Sequence, residues 1–581
     1  MPSRRARLDD VSPGSRTWGV GVASFCLALM LTTEPYLVIV WDEGYTLGRE
    51  ERIRQWFAAM GRPASYASGW RPPYEELVPP NRLIAPRPEE MDSRAKLLRP
   101  PAIDWFWPFA REEPDGHPPV YALVGLAGDI LTPWREPLPK ARLGPMLVFS
   151  LTCGAIFAFL RRRFGSWAAA AAAGAWMAQP HLFALAHYAT YDGLLTSFWT
   201  LACLSFVKAI EVEPGRPGER PRPGWILAFA ALIALAMGTK FTGWLLPVPF
   251  LAWSAVARSR GGALTLLAGC VLAIPLLVLL VPPWWHDPIL GVDRFLRSNL
   301  TRAQTTPLKT LFLGRIYDTP GESLPWYNTI VWTVLATPAG FLILAVAGVA
   351  WTLARERRDA VGTLFVIHWA FLLALRALPH TPGHDGVRQF LPAFGILAVL
   401  VGLGAGWVVG RLGWVGGLLI VVAVVEGGVT VGVMIPVPLS YFNPVFGGLP
   451  GAVRMGMEPT YYWDALQPEV LDWLNEHSPP GRKVRFARYP TSWLYLRRTG
   501  GLRPGILPSD PGDFAWYVVQ NRPGDLSPLD RHLIAHAAPA KVYGRFGVPL
   551  IWVFPYDEVL KWQAIGEGRA TAEGGAGSGG G

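Results

Sequence analysis

Along the chain, apolar stretches alternate with short polar connections at a spacing that predicts membrane-spanning helices. A helix crossing a bilayer needs about 17 to 25 residues. Stretches of that order, some shorter, fall at 18–40, 142–160, 166–190, 193–210, 225–239, 241–257, 262–281, 327–353, 360–378, 389–409 and 413–434. The pattern therefore predicts about 11 transmembrane helices, two of which adjoin around Gly238-Thr239-Lys240. Beyond 440 the character changes, and amphipathic and strand-like pieces alternate at 469–477, 483–489, 514–521, 529–536 and 548–554, as in a small α/β domain. The expected divisions are a tail at 1–17, a membrane domain at 18–435 with a long first loop at 41–141, an α/β domain at 440–565, and a Gly-rich tail at 566–581. That last tail has too little apolar content to order itself.

Charge orients the spans. With the N-terminus in the cytoplasm, the inner connections hold Arg161-Arg162-Arg163, the segment from Lys208 to Arg222, Arg258 with Arg260, Arg355 with Arg357 and Arg358, and Arg411. Every inner loop is then basic, as the positive-inside rule requires. The segments 41–141, 282–326 and 379–388 and everything after 435 fall outside. Arg4, Arg5, Arg7 and Arg16 precede the first apolar run, and no small-residue cleavage site follows it, so that run is expected to stay as an uncleaved first span. The reading is a multi-pass protein of the inner (plasma) membrane whose C-terminal domain is extracytoplasmic.

Composition agrees with a lipid-solvated chain. At 581 residues a soluble protein would have about four domains, but 51% hydrophobic residues against 17% charged, with 27 Trp, exclude that. Mean hydropathy is +0.26. The net charge of +10 comes largely from Arg beside apolar runs, which topology explains without nucleic acid. Cys26, Cys153, Cys203 and Cys270 all lie in apolar stretches, so the hydrophilic segments offer neither a disulfide framework nor a zinc-thiolate site.

Ionisable groups at membrane depth are costly, so their positions are informative. In this topology they collect at outer span ends: Asp42 and Glu43 after the first span, Asp192 where the third and fourth meet, Lys240 between the fifth and sixth, and His384, Asp385 and Arg388 before the tenth. That describes one acid-and-base cluster at the outer boundary. The adjacent carboxylates Asp42-Glu43 can serve as a general base or ligate a divalent cation through oxygen. After them, Ile53, Trp56, Phe57 and Met60 recur at helical spacing, predicting a helix that lies in the interface over 47–60. Asp115-Gly116-His117-Pro118-Pro119 closes the long loop, its two prolines fixing an extended chain that delivers His117. The pairs His380 with His384 and His532 with His536 have spacings a metal can use but no further ligand nearby. There is no Walker loop, Rossmann fingerprint, HExxH or GxSxG.

The order of several short motifs resembles the GT-C superfamily. They are Trp41-Asp42-Glu43 after the first span, His117-Pro118-Pro119 before the second, Ala141-Arg142-Leu143 opening it, Arg161-Arg162-Arg163-Phe164-Gly165 closing it, and Tyr191-Asp192 opening the fourth. Within that superfamily the chain is most similar to the protein O-mannosyltransferase and aminoarabinose-transferase group, the glycosyltransferase family 39-like proteins of bacteria. The similarity is firm over about residues 20–260 and looser to about 435. It implies a GT-C transmembrane domain and a sugar moved from a polyprenyl-phosphate donor to an acceptor on the outer face, with the lipid bilayer as the protein's other partner. It implies Asp42 as base or acceptor-orienting acid, with Glu43 as its paired neighbour, His117 where relatives carry Lys or His before Pro-Pro, and Asp192 as the acid opening the fourth span. His384-Asp385-Gly386-Val387-Arg388-Gln389-Phe390-Leu391-Pro392 and Tyr441-Phe442-Asn443-Pro444 with Gly447-Gly448 look like motifs of a bacterial branch, making His384, Arg388, Tyr441 and Asn443 substrate-binding candidates. The lumenal repeats of the eukaryotic mannosyltransferases are absent, and the acceptor stays open among protein, lipid and polysaccharide.

Charge development suggests the expected mechanism. Attack at the anomeric carbon builds oxocarbenium character there while negative charge grows on the departing phosphate, so a base is needed on one side and cations on the other. Asp42 is expected to be the base, Lys240 and Arg388 the phosphate holders, and His117 or His384 the assistants, with inversion after one displacement. Metal use is open, because the Asp-Glu pair can hold Mg²⁺ or Mn²⁺ but no fuller oxygen set is visible. The alternatives are a flippase or transporter of lipid-linked sugars and a catalytically silent assembly protein. Against a transporter, the acids lie at one surface and no internal repeat is evident.

Overall fold

The structure is a computed structural model, and it describes residues 14–71, 85–112, 115–210, 222–305, 308–319, 321–354, 360–508 and 512–563. Arg4, Arg5 and Arg7, Arg355, Arg357 and Arg358, and the 566–581 tail lie outside the described residues, as does the side chain of Arg16.

Seven helices among the described residues are long and apolar enough to cross a membrane: Thr17–Tyr36, Pro137–Phe164, Tyr191–Ile210, Arg260–Leu280, Ala360–Ala377, Pro392–Leu412 and Trp414–Met434. The other four expected spans are shorter or broken, and proline explains three of them. The 166–190 stretch divides into Ser166–Ala178 and Pro180–His187, 241–257 into Phe241–Leu245 and Pro247–Val256, and 327–353 into Asn328–Ala336 and Ala339–Ala354. Proline has no N–H to give and biases the residue before it towards extended backbone. Gln179 and Thr337 are both extended, while Leu246 stays helical.

Each interruption exposes backbone groups that lipid cannot satisfy. At the first, the Gln179 side chain donates to the carbonyls of Ala175 at 2.9 Å and Phe394 at 3.2 Å. At the last, Glu426 from the Trp414–Met434 helix accepts from the backbone N–H groups of Ala339 at 2.9 Å and Gly340 at 2.8 Å. An acid within a span is thus consumed as an anionic cap on a helix N-terminus. Ala339–Ala354 also packs tightly on Pro392–Leu412, where a Cβ on Gly348 or Gly404 would collide with the carbonyl of Leu400 or Leu344.

The first loop is itself helical, and here an expectation is corrected. The 47–60 segment is part of a longer helix, Trp41–Gly61, that does not lie on a surface: Leu47, Arg49, Glu50, Arg52, Ile53, Trp56 and Ala59 are all buried, and only Phe57 of the expected apolar face is exposed. The rest of the loop wraps it. Arg52, on what reads as the polar face of an amphipathic helix, donates to the carbonyl of Trp105 at 3.0 Å, and Trp56, on the apolar face, donates to that of Leu97 at 3.0 Å, so both faces are satisfied inside protein.

The second outer segment contributes the helix Pro288–Thr305 and an antiparallel hairpin, β1 (Leu308–Phe312) with β2 (Arg315–Thr319). The C-terminal part forms a five-stranded sheet from β3 (Lys483–Phe486), β4 (Leu507–Pro508), β5 (Trp516–Gln520), β6 (Lys541–Arg545) and β7 (Val548–Pro555), in the order β4-β3-β5-β7-β6. β3 is parallel to β4 and β5, and β7 is antiparallel to β5 and β6. The helices Pro468–His477 and Pro528–His536 fall where amphipathic periodicity places them. The fold is thus an α-helical polytopic membrane body with a small C-terminal α/β region.

Candidate active site

Side chains from separate elements of the membrane body, Asp42, Tyr191 with Asp192, and Asp385, meet on a single guanidinium, and the Tyr462 ring of the C-terminal part lies 3.9 Å from it. Arg388 lies in the short 3-10 turn Gly386–Phe390 that leads into the Pro392–Leu412 helix. Its Nε donates to Asp192 at 2.7 Å and one terminal nitrogen to Asp385 at 2.5 Å. The other terminal nitrogen donates to both Asp42 and the Tyr191 hydroxyl. Asp192 also accepts from the Lys240 ammonium at 2.7 Å, and Asp385 from Arg522 at 2.9 Å. Arginine suits this place because its planar fork presents separate donors to carboxylates arriving from different elements.

The three carboxylates differ in access. The Asp192 and Asp385 side chains are 1% and 5% exposed, whereas Asp42 retains 18% and lines a cavity of about 370 Å³. One Asp42 oxygen accepts from the hydroxyls of Tyr191 at 2.5 Å and Tyr462 at 2.8 Å. Burial pushes its carboxyl up, but Arg388 and these two phenols outweigh burial and hold it below the usual carboxylate value. Asp42 is therefore an ionised, reachable carboxylate in a partly dry site.

Both candidate histidines line the same cavity. His117 lies against the Tyr191 ring, with centroids 3.9 Å apart, and its Nε2 is 3.5 Å from Arg302. His384 Nε2 is 3.2 Å from the Gln389 amide. Burial first, then surrounding cations led by Arg302 in each case, push both imidazoles well below their ordinary value. They are neutral at physiological pH. Lys240 lies behind Asp192, also within 3.4 Å of Gln389, and burial with repulsion from Arg388 lowers its ammonium below the usual value despite Asp192.

Asp42, His117, Asp192, Lys240, His384 and Arg388 are thus brought together; three other candidates are not. Glu43, fully buried, chelates Arg142 with both oxygens at 2.8 Å and also accepts from the backbone N–H of Ala189 at 2.9 Å and Val40 at 3.1 Å. Its acceptor positions are used to clamp the Pro137–Phe164 helix to the first loop, and no catalytic role is open to it. Asn443 bonds the carbonyl of Thr337 at 2.9 Å and the N–H of Val445 at 2.9 Å, fastening the proline break at Pro338. Tyr441 is buried beside His181, with centroids 6.2 Å apart, and does not line the cavity. Arg142 and Arg388 hold the carboxylates of Glu43 and Asp42 in separate networks. Among the described residues no group of three or more His, Cys, Asp or Glu is arranged to hold a metal ion.

Several residues at the site escaped sequence reading. Trp463, from the C-terminal third, and Arg302, from the amphipathic Pro288–Thr305 helix, line the cavity, while Tyr462 and Arg522, also from the C-terminal third, bond Asp42 and Asp385 behind it. The only available signal was the run Thr460-Tyr461-Tyr462-Trp463-Asp464, in which aromatics adjoin an acid.

Comparison with known proteins follows this geometry. Residues 117–286 match the family model described as dolichyl-phosphate-mannose-protein mannosyltransferase. No curated protein matches the chain. Among solved structures, ArnT from Cupriavidus metallidurans bound to undecaprenyl phosphate is similar at 17% identity, with a TM-score of 0.49, covering 92% of this chain and 98% of that one. Archaeal oligosaccharyltransferase AglB from Archaeoglobus fulgidus, in complex with an inhibitory peptide and a dolichol-phosphate, is similar at 11% identity, with a TM-score of 0.45, covering 87% of this chain and 69% of that one. The family match spans the stretch that supplies His117, Asp192 and Lys240.

Proposed function

We propose that this protein transfers a sugar from a polyprenyl-phosphate donor to an acceptor outside the membrane, by one displacement that inverts the anomeric carbon. The observation that carries the reading is Asp42, an ionised carboxylate facing a cavity whose other walls hold cations and neutral imidazoles. The description of the matching family, which names a dolichyl-phosphate sugar, supports the donor class. In the reaction the acceptor O–H attacks the anomeric carbon and yields its proton to Asp42, a new C–O bond forms, and the bond to the phosphate oxygen breaks with its electron pair leaving on the polyprenyl phosphate. Arg388 and Lys240 are already engaged by Asp192 and its neighbours, so their part is to set the field and orient Asp42. Arg302, which lines the cavity beside His117, is a cation positioned to meet a phosphate bound there.

The orientation that fits is an outward-facing cavity. The Tyr191–Ile210 helix starts at the site and ends with Lys208 near Phe159, where Arg163 also packs, and Arg161 lies over Trp18 of the first helix. The basic ends share the side opposite Asp192. The positive-inside rule sets that side in the cytoplasm, leaving the cavity and the α/β region outside a plasma membrane.

A transporter of lipid-linked sugars needs binding groups near the bilayer midplane. The polar groups here gather at one end of the helices, and Glu426 is spent on a helix cap. The test uses purified protein in lipid vesicles with a panel of polyprenyl-phosphate sugars and a crude envelope extract. Release of free polyprenyl phosphate is expected with at least one donor; donor movement across the bilayer with no release would establish the transporter instead.

A further inference from the structure

The cavity is lined by cations and imidazoles, among them Arg302, His117 and His384, and by an aromatic wall of Trp41, Tyr45 and Trp463, with Arg488 also in the lining. The Trp41 and Trp463 rings are 4.7 Å apart and tilted by 39°, and the Tyr45 ring meets Trp41 edge-on at 6.4 Å. Trp463 has φ +50°, a left-handed backbone that bulky residues rarely adopt, and the surroundings hold it there. Buried Arg522 lies 3.9 Å from its ring centroid and is tied to Asp385, while the Trp41 N–H donates to the Tyr462 carbonyl at 3.4 Å.

Two small cavities adjoin this wall, both lined by Trp463, Arg488 and Gln520. Asp525 borders one, and Thr491 and Ser492 border the other. Flat aromatic surface ringed by short-range donors and acceptors matches a ring with an apolar C–H face and a rim of hydroxyls. A backbone-pairing peptide is less well served. Of the five-stranded sheet, only the interior strands β3 and β5 line these cavities, through Phe486, Val518 and Gln520, so its edge strands offer no pairing groups there. The wall is also where an acceptor must be. In an inverting displacement the nucleophile approaches from the side opposite the departing phosphate. Asp42, adjacent to Trp41 in the chain, accepts from the Tyr191 hydroxyl, whose ring lies against His117 beside Arg302, so it joins the aromatic wall to the cationic groups.

We propose that Trp41 and Trp463, with Arg488 and Gln520, form an acceptor subsite that takes a pyranose ring, so that the acceptor is a glycan or glycolipid rather than a protein hydroxyl. This rests on the glycosyl-transfer reading above. The test pairs binding with turnover, using the full chain in nanodiscs. Methyl hexopyranosides and short oligosaccharides are screened by saturation-transfer NMR, and the same saccharides and Ser/Thr peptides are then tested for acceleration of polyprenyl phosphate release. A saccharide that binds and accelerates release is expected. In Trp463→Ala its KM should rise about tenfold while the donor KM changes little, and Trp463→Phe should recover most of the loss. Acceleration by peptides alone, or Trp463 variants that alter donor KM and leave acceptor KM unmoved, would overturn the subsite. Trp463-dependent saccharide binding without release from any donor would keep the subsite and refute the transferase reading.

Discussion

Replacing Arg388 by Lys preserves the charge at the centre of the site and removes the fork. In the native protein Nε serves Asp192 at 2.7 Å, one terminal nitrogen serves Asp385 at 2.5 Å, and the other serves Asp42 and Tyr191. An ammonium is a point charge on a flexible stem and cannot meet three carboxylates arriving from separate elements. It settles on the two more buried acids, and Asp42 loses one charge-assisted hydrogen bond, a loss of about 1.5–3 kcal/mol. That loss lets burial raise the Asp42 carboxyl from its lowered value. The direction of the effect follows. Arg388 and the two phenols hold Asp42 below its ordinary value against burial, so the native base form persists well into acid. In the variant the base is protonated sooner as pH falls, and the acid limb of kcat/KM moves towards neutrality. A pH profile of polyprenyl phosphate release in proteoliposomes reads this directly. An unmoved acid limb with undiminished rate would refute the assignment of Arg388 as the group that holds Asp42 ionised.

Three further outcomes follow from the same contacts. Glu43→Gln leaves Arg142, 1% exposed, with only Glu34 at 3.4 Å as a carboxylate partner, and should lower stability by up to about 3–5 kcal/mol; thermal unfolding in detergent should fall sharply while the pH profile of any remaining activity keeps its shape. Arg522→Gln removes the 2.9 Å bond to Asp385 from outside the membrane body, and should reduce kcat about tenfold with little change in donor KM; equal effects on both constants would mean that Arg522 acts through folding alone. Burial raises Glu458 from 4.5 to about 7, against Arg522 and the backbone donors Leu311 and Gly524. Because the folded state holds this proton more tightly than the unfolded one, the stabilisation is complete below the unfolded value and is lost as pH rises through about 7. Unfolding temperature should therefore decline over that interval in the native protein and stay flatter in Glu458→Gln.

Hydropathy located seven continuous spans because each is a single uninterrupted apolar helix. It ran through the breaks at Gln179-Pro180 and Thr337-Pro338 because proline is apolar, and the groups that satisfy those breaks, Phe394 and Glu426, are remote in sequence. Asp42 and Glu43 show the limit for a site. Neighbours on a helix point about 100° apart, so adjacency cannot bring both carboxylates into one cavity; one faces Arg388 and the other faces Arg142. Asp192, Lys240 and Arg388 were legible because charge at span ends is costly and rare. Tyr462 and Arg522 were not, because polar and aromatic residues are ordinary in a polar α/β domain, and only the docking of that domain beside Asp42 gives them a role. Gly44 marks that docking. A Cβ there would collide with the backbone carbonyl of Thr491, so the two parts meet more closely than any other residue allows.

Asp42→Asn keeps the shape of the side chain and removes its ability to accept a proton. The most direct measurement is therefore single-turnover release of polyprenyl phosphate by wild type and this variant, with donor affinity measured in parallel. The account predicts that release falls by about 10²–10⁴-fold while donor binding is retained. Unchanged release in Asp42→Asn would contradict it and remove Asp42 from the role of base.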